Sequence, residues 1–114
     1  MRTWNRMALV VVPRQRFLDW LRSVDDTNAD LTLAEVSREP TVYLLPECGS
    51  DPDAADLLAD ACDEILEDQF NSWYQQPALW PRDRGIESFQ RWFSISFHSM
   101  IVDLCDDPLV AEEC

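Results

Sequence analysis

At 114 residues the chain is the size of one domain, and its 46% apolar and 11% aromatic content is enough to bury a core without disulfides or a metal. A formal charge of −13 repels nucleic acid and anionic membranes and attracts basic partners. The two glycines, Gly49 and Gly85, exclude Gly-rich phosphate loops, which need several glycines to bring backbone N–H groups onto phosphate.

The charge is unevenly spread. Residues 1–38 carry six Arg and five acids, residues 39–81 carry ten acids and no basic residue, and residues 82–114 carry three Arg and seven acids. All nine basic residues are Arg.

In chain order, the run Met7–Val12 is continuous, apolar and rich in Val, the pattern of a strand buried on both faces. It is too short to span a membrane, and Arg and Pro follow it with no small-residue cleavage site, so the expected location is the cytoplasm. There, Cys48, Cys62, Cys105 and Cys114 are expected as thiols. Phe17, Leu21 and Val24 then place an apolar stripe on a helix over residues 14–24. Thr32 and Glu35 have capping-box spacing and open a short helix that ends before Pro40. Residues 41–46 read as a second apolar strand.

Asp51 as N-cap and Pro52 in the first turn open a long helix over about residues 52–70. At 100° per residue from Ala54, Leu57, Leu58, Ala61, Cys62, Ile65 and Leu66 lie between about −60° and 120°. Asp53, Asp56, Asp60, Asp63, Glu64, Glu67 and Asp68 lie between about 180° and 320°, so the two arcs meet only where Asp68 falls beside Leu57. Trp73 to Gly85 is an aromatic loop stiffened by Pro77 and Pro81, and it is either packed on the core or a binding surface. Ile86, Phe89 and Phe93 mark another helix, and residues 94–104 a third strand whose alternation slips phase at Met100. The tail from about residue 106 is expected to fray.

The expected fold is a single α/β (or α+β) domain over residues 1–114, ordered β-α-α-β-α-α-β, with a three-stranded sheet covered by helices. If the first two strands are neighbours, a right-handed crossover makes them parallel.

Three arrangements could carry chemistry. His98, the single histidine, could act as a base for Ser96 or Cys105 with Asp103 orienting it, but Asp103 and Cys105 have the opposite strand parity to His98. A zinc site from Cys48, Cys62, His98 and Cys105 would draw its ligands from four separate elements without close pairing, so no metal and no cofactor is expected. The acidic helix face is either a solvated surface or one held ready for a basic partner.

The stretch "LWPRDRGIESFQRWFSISFHSMIVDL", residues 79–104, resembles a family of small bacterial proteins with no assigned activity, and brings no catalytic residues with it. In size, acidity and alternation of elements the chain is also similar to small immunity proteins and antitoxins of the barstar kind, an analogy of architecture. The reading that follows is a non-enzymatic interaction protein. It presents Asp53, Asp56, Asp60, Asp63, Glu64 and Glu67, flanked by Trp80 and Arg82, to a basic protein partner. The alternative is a small enzyme or ligand-binding domain centred on His98, Asp103 and Cys105, with Trp73–Trp80 as a lid. A third reading is a homo-oligomer that hides the aromatic loop.

Overall fold

The computed structural model describes residues 1–112 except Cys48 and Ser50, and excludes the side chains of Asp51 and Pro52. The N-cap expected at Asp51 and the thiols at Cys48 and Cys114 lie outside the described residues.

The elements are β1 (Arg2–Thr3), β2 (Arg6–Pro13), α1 (Gln15–Val24), α2 (Leu33–Val36), β3 (Thr41–Pro46), α3 (Asp51–Trp73), α4 (Ile86–Trp92), β4 (Phe93–His98) and β5 (Val102–Asp103). β2 is the centre of a three-stranded sheet in the order β3-β2-β4, and β1 and β5 form a separate ribbon. The central place suits β2, because Met7–Val12 carries no charge to leave unpaired between two neighbours.

Both neighbours run antiparallel to β2, which corrects the expected parallel pairing of the first two strands. Thr41 pairs with Val11 and Pro46 with Arg6, so β3 starts where β2 ends. The crossover rule applies to a connection that returns the chain to the strand's starting end. Here two helices and a turn over residues 15–36 bring it back to the finishing end instead. Ser37 Oγ, just past α2, donates to Pro13 O at the end of β2.

Cross-strand partners share a face. Met7, Leu9 and Val11 therefore lie with Leu45, Tyr43, Ile95 and Phe93, and these pack into the core with the helices. The opposite face holds Val10, Val12, Val42, Leu44, Ser96 and His98. It is open: Val42 is 55% and Leu44 58% exposed. The helices cover one face of the sheet, so β2 is not buried on both sides. Its unbroken apolar run combines a core-facing set with an open-face set in which Val10 and Val12 are half-buried and the small Ala8 is buried.

The capping box forms as expected: Glu35 N–H donates to Thr32 Oγ1 and Thr32 N–H to Glu35 Oε1, both at 3.2 Å. The phase slip near Met100 is the point where the chain leaves β4 and crosses to the ribbon. The ribbon itself had no signal, since two-residue strands have no periodicity to detect.

Phe70 of α3 is fully buried, and its ring meets Trp20 at 5.0 Å, Trp92 at 5.6 Å, Phe17 at 6.1 Å and Trp80 at 6.3 Å between centroids. The aromatic loop is therefore anchored. Trp80 Nε1 donates to Tyr74 O at 2.7 Å, and Trp20 Nε1 to Leu79 O at 3.0 Å. Gly85 ends the loop at φ 95°, a left-handed conformation that penalises any residue with a Cβ.

Replacing Phe70 with Ala should cost about 3–5 kcal/mol, since it empties a fully enclosed site. Trp80 is only half-buried, so Trp80→Ala should cost less, about 2 kcal/mol. Urea unfolding of both variants checks the order, and an unchanged midpoint for Trp80→Ala would contradict the anchoring role.

Candidate functional site

The acids of α3 stand on its solvent side. Asp53, Asp56, Asp60, Asp63, Glu64, Glu67 and Asp68 are all exposed, while Ala54, Leu58, Cys62, Ile65, Leu66 and Phe70 are buried. Like charges at i, i+4 cost a helix a few tenths of a kcal/mol per pair. The apolar face keeps the helix in place despite them.

The loop engages part of this face. Gly85 N–H donates to Asp63 Oδ1 at 2.8 Å, and Arg84 pairs with Glu67 at 3.7 Å. Arg82 is exposed. Arg16 pairs with Asp83 at 3.2 Å, so the loop's own acid is answered from α1.

Two clefts meet at β3. One, of about 600 Å³, lies between β3 and α3, with Tyr43, Glu64, Glu67, Asp68, Asn71 and Trp80 among its walls. The other, of about 470 Å³, lies beyond the open sheet face, mainly apolar between Leu44, Trp4, Ile101 and Leu109, with Arg6 and Asp103 also on its wall. Leu44 lines both.

A polar network joins β3 to α3 in the first cleft. Tyr43 Oη donates to Asp68 Oδ2 at 2.5 Å, and Gln69 Nε2 donates to Tyr43 Oη and Thr41 Oγ1, each at 2.8 Å. Burial raises the Tyr43 pKa well above its ordinary value, and the hydrogen bond to Asp68 adds to this, because a phenolate would face a carboxylate. The network was not expected from sequence, although one signal pointed to it. Gln69 falls at about 60° on the α3 wheel, inside the apolar arc, and a polar side chain buried to 4% exposure needs partners.

The alternative constellation is divided. His98 is exposed at the end of β4, its Nε2 2.9 Å from Ser96 Oγ. Asp103 lies on the ribbon, where it accepts from Trp4 Nε1 at 3.2 Å and from Cys105 N–H at 2.8 Å. No hydrogen bond joins His98 to Asp103 or Cys105 among the described residues, so the imidazole has no carboxylate to orient it. Nor do three or more His, Cys, Asp or Glu among those residues group as a metal site. No helix of the described chain is long and apolar enough to cross a membrane.

No family model, curated protein or solved structure matches this chain.

Two outcomes test this geometry. Because folding raises the Tyr43 pKa, the unfolded chain ionises first. The contribution is complete below about pH 10 and is lost as pH rises toward the folded value. Urea midpoints should fall above that pH and fall less in Tyr43→Phe, a variant that also loses about 1 kcal/mol at neutral pH with its hydrogen bond to Asp68. The thiols should separate too. Cys62 is buried and burial pushes its thiol up, with the Asp63 charge adding to the effect, whereas Cys105 is exposed. Brief native labelling with a disulfide reagent, followed by peptide mapping, should modify Cys105 and spare Cys62 until urea is added.

Proposed function

We propose that the protein is a non-enzymatic interaction module that presents the carboxylate face of α3 to a basic protein partner. One observation carries the reading. Seven acids of one helix are exposed together, and the helix itself carries no basic residue to answer them. Such a face is kept at a cost in helix stability, and a positive surface would relieve that cost while being drawn in at long range. Covering the nucleic-acid-binding cleft of an enzyme is one use that fits the sign of the field. The setting that suits the reading is the cytoplasm, where Cys62 and Cys105 stay thiols.

The test separates binding from folding. In the triple variant Asp56→Asn, Asp60→Asn, Glu64→Gln the fold should be as stable as the parent or slightly more so, since like-charge repulsion is relieved. Its affinity for a poly-arginine peptide, measured by calorimetry at low salt, should fall about tenfold, the sum expected of three exposed charge pairs. Unchanged affinity in a folded variant would reject the proposal.

A further inference from the structure

We infer that the occupant of the site is an extended segment of the partner in which basic and apolar residues alternate, added as a fourth strand along the free edge of β3. The inference rests on the acidic-face reading above and names the form the basic partner takes.

Three features converge on this edge. β3 pairs only with β2, and its outer side has no backbone partner among the described residues. Edge strands are commonly protected by short length, proline, charges, a bulge or a covering segment. Residues 41–46 hold no charged residue, and although the prolines at 40 and 46 close the ends of the strand, the edge of residues 42–45 between them carries neither charge nor proline.

The two faces of an added strand would meet opposite chemistries. Successive side chains of a strand point to opposite faces. On the core side they would reach the cleft walled by Glu64, Glu67 and Asp68, with Trp80 offering a ring to a guanidinium. On the open side they would lie beside exposed Val42 and Leu44 and, at Leu44, reach the mainly apolar cleft of Ile101 and Leu109. Backbone hydrogen bonds would supply affinity, and the two clefts would supply the alternating preference.

Charge also decides against a second copy of this chain. Pairing β3 with β3 of another copy would bring Glu64, Glu67 and Asp68 of both together, in a protein already at −13. Like charges facing one another are penalised, and a basic strand is favoured at the same place.

The probe is a heptapeptide in which arginine and valine alternate, blocked at both ends. Its control is the same peptide with its central backbone nitrogens methylated, so that charge and side chains are kept and strand pairing is lost. Titrated into the full chain and followed by amide NMR, the first peptide should shift and protect residues 41–46. The control should bind at least tenfold more weakly. If both bind alike, the strand proposal is overturned while the acidic-face reading stands. If poly-arginine binds and the alternating peptide leaves residues 41–46 unshifted, the strand proposal is again overturned. If the chain alone sediments as a dimer with residues 41–46 protected, the occupant is a second copy and the inference is wrong.

Discussion

The rings gathered around Phe70 hold the molecule in register. That side chain lies in the last third of α3 and touches aromatic residues of α1, the loop and α4 at once. α1 follows β2 directly and α4 leads directly into β4, so locking both helices to α3 also places the sheet's centre and one edge. Four neighbouring rings with no exposed surface at the hub amount to a large dispersion and hydrophobic contribution at one point. Arg84 adds a cation over the same ring at 5.7 Å and reaches Glu67 from there, linking the hub to the acidic surface.

Because this packing is confined to one side of the sheet, the other side is left to solvent. A two-layer arrangement needs only one apolar face per strand, yet β2 and β3 are apolar on both. Val42 and Leu44 are the excess, and Leu44 lines the mainly apolar cleft bounded by the ribbon. The ribbon is tied down by polar contacts. Arg2 donates to the carbonyls of Cys105 and Asp107, and Trp4 to Asp103. The tail thus begins with defined contacts, although residues 104–112 are exposed.

α3 serves two ends with two faces. Its apolar arc supplies the core, and its acid arc supplies charge without a counter-charge on the same helix. Three elements that temper the repulsion come from elsewhere in the chain: the Gly85 N–H on Asp63, Arg84 on Glu67 and the Tyr43 hydroxyl on Asp68. All three act on the half of the helix nearer the loop, beside the cleft with β3.

The sequence by itself determined what depends on local periodicity and capping. The separation of apolar and acidic arcs on α3, the Thr32–Glu35 box and the extent of β3 follow from residues close together in the chain, and each appears where its pattern places it. The aromatic loop was legible as two alternatives, and Trp80 packs on Phe70 while its half-exposed ring also lines the cleft. The tertiary structure decided the rest, because it turns on meetings between distant residues that no local pattern encodes. The antiparallel direction of β3 and the cleft where Tyr43 meets Asp68 depend on how the α1–α2 connection returns the chain, and the separation of His98 from the Asp103–Cys105 turn depends on the crossing from β4 to the ribbon. The start of that path is held where Phe17 and Trp20 of α1 pack on Phe70, a meeting of residues far apart in the chain.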